Sequence, residues 1–151
     1  MSLALSLHLL AAIVWIGGMF FAYMCLRPAA AQLLEPAVRL RLWQSVFSRF
    51  FRWVGLAIVL LIVSGHFMTA KLGGMAGVGK HVHIMLALGY LMMGLFLHLY
   101  FALFRGFKRN VEDQQWQEAG DRLNRMRRIV AINLSLGLVI AVVASGGKFW
   151  L

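Results

Sequence analysis

Four apolar stretches, none holding an Asp or Glu, set the first limit on what this chain can fold into. They run from about Leu3 to Leu26, Val54 to Ala70, Val82 to Phe104 and Ile129 to Trp150. A helix needs roughly 20 apolar residues, at about 1.5 Å each, to cross the hydrocarbon of a bilayer. In lipid only helices and closed barrels satisfy all their backbone N–H and C=O groups, and runs this long predict helices. The expected fold is all-α: a polytopic membrane four-helix bundle, up-down-up-down, forming one integral membrane domain over residues 1–151. Charged residues make up 13% of the chain, about half the share found in soluble domains, which fits that reading.

The formal net charge is +10, and its distribution decides what it means. Arg27, Arg39, Arg41, Arg49 and Arg52 lie between the first and second runs. Arg105, Lys108, Arg109, Arg122, Arg125, Arg127 and Arg128 lie between the third and fourth. The second connection holds only Lys71 and Lys80, and Lys148 lies near the C-terminus. Basic residues retained between spans are a topology signal rather than a nucleic-acid footprint, and they also meet anionic lipid headgroups. No nucleic-acid partner is expected; membrane lipids are. The charge places the two arginine-rich connections in the cytoplasm. Both termini, and the glycine-rich link 72–79, then face outside a bacterial-type inner membrane. The first run is read as a span and not as a cleaved signal, because its first Arg follows the apolar core instead of preceding it. A single cysteine, Cys25, leaves no intrachain disulfide.

The two basic connections differ in character. Residues 39–52 interleave arginines with Trp43, Phe47, Phe50 and Phe51, which suits an interfacial helix or the buried start of the second span. Residues 108–128 mix Glu112, Asp113, Glu118 and Asp121 with the bases and read as a soluble helical loop. Trp43, Trp53 and Trp150 are expected as interfacial anchors, and Lys148 is expected to reach outward.

On this topology the histidines gather. His8, His66, His81 and His83 fall at the outer ends of three helices, while His98 lies about 22 Å further down the third. Ionisable groups in a membrane usually face the bundle interior. His83, Ala87, Tyr90, Gly94 and His98 share one face of the third helix, and His8, Ala11, Ala12, Trp15 and Met19 share one face of the first. Asn133, Gly137, Ala141, Ala144 and Lys148 form a small and polar stripe on the fourth. Neutral imidazole suits copper, zinc and iron, and thioether sulfur with imidazole suits Cu(I). His8, His66 and His83 are therefore the candidate metal ligands, with Met85 beside them and Met68 and Met75 nearby. Two histidines, drawn from His8, His66, His83 and His98, could instead hold one haem b iron axially.

The opening Leu7-His8-Leu9-Leu10, with Val14-Trp15-Ile16-Gly17-Gly18-Met19-Phe20, resembles the first helix of the copper resistance protein D family. Arg127-Arg128-Ile129-Val130-Ala131-Ile132-Asn133-Leu134-Ser135-Leu136-Gly137 resembles that family's final helix. The resemblance implies an inner-membrane protein of copper handling, in uptake or delivery. A second resemblance is to the small haem-binding membrane protoporphyrinogen oxidase family. That family carries a histidine followed by a tryptophan in its first helix, as in His8 and Trp15, and a histidine two residues before a lysine in its third. Here Met85 stands in the lysine's place after His83.

Phosphate-binding loops, nucleophile elbows and intramembrane carboxylate pairs are missing. No catalytic residue is assigned. If the chain is an enzyme, it is a haem-dependent membrane oxidoreductase. The expected function is a copper resistance D-like inner-membrane protein whose outward-facing histidine site binds or passes on copper. The alternatives are a b-type haem protein and a cofactor-free structural subunit. A periplasmic metal carrier or redox partner, or a second copy of the chain, would fit beside it.

Overall fold

The computed structural model describes residues 1–150, and all their side chains except those of Lys148 and Trp150, so the expectations for those two lie outside it. Among the described residues it is all-helical, and four long helices carry the fold. Helix α1 runs Ser2–Leu33, α2 Pro36–Lys71, α3 Lys80–Glu112 and α4 Trp116–Trp150. Each contains an apolar window long enough to cross a membrane, and the order is up-down-up-down. The protein is a multi-pass membrane bundle.

All four helices outrun their apolar stretches at the arginine end. The expectation of a separate loop over residues 108–128 is corrected here. The chain is helical to Glu112, turns over 113–115 and is helical again from Trp116. Gln114 makes the turn with a positive φ of 57°, and the Gln115 N–H donates to the Asn110 carbonyl at 2.8 Å. Residues 39–52 belong to α2 without interruption, so of the two readings open for them the buried start of the second span holds. The reason is the chain's own apolar spacing. Leu40, Trp43, Phe47, Phe51 and Val54 recur every three or four residues, and all are buried. Trp43 is thus a core residue and not an interfacial anchor, whereas Trp53 is 61% exposed.

Each connection has a local cause. Between α1 and α2, Pro36 forces Glu35 out of the helical region (φ −58°, ψ 150°) and then serves as the first residue of α2. Gly73 ends α2 with a φ of 93°, where a side chain would strain the backbone, and the Gly74 N–H reaches back to the Thr69 carbonyl at 3.0 Å. Two helices carry an internal irregularity. In α1 a π-helical turn spans Phe21–Leu26, with the Arg27 N–H bonded five residues back to Ala22. The wider turn relieves Pro28, whose ring would clash with the carbonyl four residues before it in a regular helix. In α3 a second π turn spans Leu99–Phe104, with the Arg105 N–H bonded to Tyr100.

Helix α1 packs along α2, α3 along α4, and α4 also touches α1 and α2. The core is richest in aromatics toward the arginine end. Phe51 stacks on Phe47 at 5.0 Å between ring centroids and meets Phe96 and Phe104 edge-on at 5.5 and 4.9 Å. Outside this core the helices show Leu9, Ile13, Val59, Val63, Leu97 and Val142, each half exposed or more. In water such a surface would aggregate; in a bilayer it is the lipid-facing side.

Gly18 lets α1 close on α2, because a Cβ there would run into the Phe50 ring, while nothing lies within 4 Å of a Cβ at Gly17. The neighbouring substitutions should therefore part company. Gly17→Ala should gain up to about 1 kcal/mol from helix propensity, whereas Gly18→Ala should lose about 1–3 kcal/mol to overpacking. Denaturation of the two variants in mixed micelles checks the difference, and equal stabilities would refute the close approach.

Candidate functional site

The histidines lie where four helical spans would put them: His8 near the start of α1, His66 near the end of α2, and His81 and His83 in the first turn of α3. His98 lies at the other end of the third apolar run, just before the π turn. Each of the first three candidates has its Nδ1 engaged. The Nδ1 of His66 lies 2.9 Å from the Ile62 carbonyl, and that of His83 lies 3.2 Å from the Gly79 carbonyl. A carbonyl can only accept, so both rings carry their proton on Nδ1. The Nδ1 of His8 lies 2.9 Å from the Ser64 hydroxyl, which donates its own proton to the Leu60 carbonyl. Ser64 must then accept from His8, and the Nδ1 of His8 is protonated as well. All three imidazoles keep Nε2 as the end with the lone pair.

The surroundings of the three rings differ. His8 is half-buried, held between Ser64 and Gly65, where any Cβ would come within 3.3 Å of the ring. The Nε2 of His66 accepts a hydrogen bond from the Tyr90 hydroxyl at 3.0 Å, which ties α2 to α3. His83 is exposed, with its Nε2 open. His81 packs against Gly79. Met85 is half-buried two residues beyond His83, a spacing that turns it to another side of α3. Met68 is half-buried and Met75 is exposed. Among the described residues, no group of three His, Cys, Asp or Glu side chains is gathered so as to hold a metal ion. The three imidazoles share one end of the bundle, and the hydrogen bonds pair each with protein groups, not with one another.

Two expected faces come out differently. On α1 the shared face is the core face: Ala11, Trp15 and Met19 are buried below His8. On α3 the residues do share a face, but His83, Ala87, Tyr90, Gly94 and His98 are all exposed. The face of α3 that enters the core is that of Met92, Phe96 and Leu99, because larger apolar side chains claim the interior. The stripe on α4 is split in the same way. Asn133 and Gly137 are buried, Gly137 against Ile16 and Met92, while Ala141 and Ala144 are exposed.

Ser64 and Tyr90 are the site residues that histidine counting passes over. Ser64 had a signal, since it is one of two hydroxyls in the run Val54–Ala70 and lies two residues before His66.

The model of the copper resistance protein D family, CopD, matches residues 44–146. The chain belongs to the CopD family. The CopD match takes in most of α2, all of α3 and nearly all of α4, and with them His66, His83, His98 and the closing stretch 127–137. The opening stretch with His8 lies before it. Comparison with curated proteins and with solved structures gives no significant match. Membership makes this a copper-resistance-related membrane protein.

Proposed function

We propose that this CopD-family protein binds copper at the histidine end of its bundle and hands it on there. The observation that carries the reading is the common state of three rings. His8, His66 and His83 each give Nδ1–H to a protein acceptor and keep Nε2 as a lone-pair donor. Metal-bound histidines are held in this way, since the second nitrogen's hydrogen bond fixes the tautomer and aims the ring. The family's description favours copper over haem b.

In this reading copper is cargo. Nε2 of His83 is open to take it, and Nε2 of His66 takes it when the Tyr90 hydroxyl lets go. Copper draws rings on three helices to one ion, so binding tightens this end of the bundle. Met85 is a softer donor held in reserve on another side of α3. The aromatic packing around Phe51 closes the core further along, which favours hand-over at one membrane face over passage through a single chain. The excess of arginine at the opposite end supports an orientation with the histidines and both termini outside the inner membrane, facing a soluble copper carrier. The exposed face of α3 that bears Tyr90, Gly94 and His98 suits a second copy of the chain.

The test is competition for Cu(I) against a chromophoric chelator in detergent. Replacing His8, His66 and His83 together by Ala should remove binding. Ser64→Ala should weaken binding about tenfold, the effect of losing a ligand's outer hydrogen-bond partner. Tyr90→Phe should strengthen it by freeing a nitrogen. A triple variant that keeps wild-type affinity would sink the assignment.

A further inference from the structure

At the arginine end a cleft of about 780 Å³ opens between α1, α2 and α4, on the far side of the bundle from the histidines. Three helices each send one arginine to its lining: Arg27 from α1, Arg39 from α2 and Arg127 from α4. No acidic residue lines it. Among the described residues the one ion pair is Lys108–Glu112, at 3.9 Å, so the three guanidinium groups face one space without a carboxylate to balance them. Arg27 is steadied by the Tyr23 ring, 4.8 Å from its centroid. The first turns of α2 and α4, at Pro36 and Trp116, also line the cleft, adding the positive ends of two helix dipoles. Such convergence repels itself unless an anion occupies it.

We infer that this cleft binds the phosphate of an anionic phospholipid. Depth and lining select the lipid. Arg27 directly follows the first apolar run, and Arg127 lies two residues before the last. Both therefore stand at headgroup level. Arginine meets phosphate through paired N–H donors, which an ammonium group does not offer. Below the guanidinium groups the walls turn apolar, with Ala22 and Val130 leading along the spans and Trp43 and Phe47 behind them. A phosphate at the mouth with acyl chains running toward the membrane matches that gradient; a free anion would use the mouth alone.

Native mass spectrometry of the detergent-solubilised protein, titrated with phosphatidylglycerol or phosphatidylcholine, tests this. The wild type should retain phosphatidylglycerol and shed phosphatidylcholine. Joint replacement of Arg27, Arg39 and Arg127 by Gln should weaken retention about a hundredfold, and Arg127→Gln alone about fivefold, as expected for roughly equal contributions from each contact. Replacing Arg49, Arg105 and Arg125 by Gln removes the same charge outside the cleft and should leave retention within about twofold of wild type. The single variant, which alters only an exposed side chain, keeps the test decisive if the triple variant misfolds. Equal losses in the two triple variants would overturn the proposal, as would unchanged retention by Arg127→Gln or equal retention of the two lipids. Displacement of the lipid by excess inorganic phosphate would assign the cleft to a free anion and overturn the lipid reading.

Discussion

Replacing Phe51 by Ala should destabilise the bundle by about 3–5 kcal/mol, the range for a buried aromatic cut to a methyl group. Phe51 is 5% exposed. It stacks on Phe47 from its own helix and makes T-shaped contacts with Phe96 and Phe104 of α3, with Tyr100 at 6.2 Å. Removing the ring leaves a void ringed by four other rings, none of which can swing in without losing its own contacts. Each lost aromatic pair adds to the lost burial, and the effects are not additive. Phe20, on α1, is the matched control: it is 47% exposed, on the lipid side, and its truncation should cost less than about 1 kcal/mol. Unfolding by SDS titration in mixed micelles reads both, and equal losses would mean that the aromatic cluster does not hold α2 to α3.

The second large effect concerns Asn133. Its side chain is 2% exposed, its Nδ2 donates to the Met92 carbonyl at 3.2 Å, and its Oδ1 has no partner. Asn133→Asp would bury a carboxylate beside that carbonyl with no donor in reach, at a cost of about 3 kcal/mol or more. Asn133→Leu should do little harm, staying within about 1 kcal/mol of wild type. It gives up one hydrogen bond but also removes a stranded acceptor, and the Met92 carbonyl, inside α3, keeps its place in the helix ladder, so nothing buried is left unpaired. A void of about 10 Å³ beside Trp15, Met19 and Phe96 takes up part of the larger side chain. The same titration separates the two. If the leucine variant is hurt as badly as the aspartate one, Asn133 serves through its hydrogen bond and the stranded oxygen does no harm.

The number of helices, their order and their alternation were legible because the signal for a span is one-dimensional: a long apolar run without acids. Helix length was not. Hydropathy sees the bilayer, whereas α2 continues for half its length beyond the apolar run, held by Leu40, Trp43 and Phe47. Their spacing was readable, but the arginines between them pointed to an interface. The third connection was misread for a different reason: the acids and bases of residues 108–128 described the solvated face, while Val111, Ala119 and Met126 carried the buried one. For the site, depth along the helix was readable from counting, so His8, His66 and His83 came to one end. Direction around the helix was not, because it depends on which neighbour offers the larger apolar surface. Met92 and Phe96 won the interior of α3 from Tyr90 and His98.

The π turns of α1 and α3 bear on that angular question. Met92 and Val111 are both buried, and they lie 19 residues apart on α3; Ala11 and Ala30 are both buried at the same spacing on α1. At about 100° per residue a regular helix would carry the second member of each pair a little over a quarter turn away from the first. Each π turn absorbs one residue without advancing the helix, which brings the two back into phase. The histidine half and the arginine half of the bundle thus have separately set rotations, with one spare residue in each of two helices acting as the spacer between them. A single deletion at 21–26 or 99–104 would remove the spare residue and leave a regular helix with its two halves still in phase, whereas a deletion elsewhere along α1 or α3 would turn one half of the protein against the other.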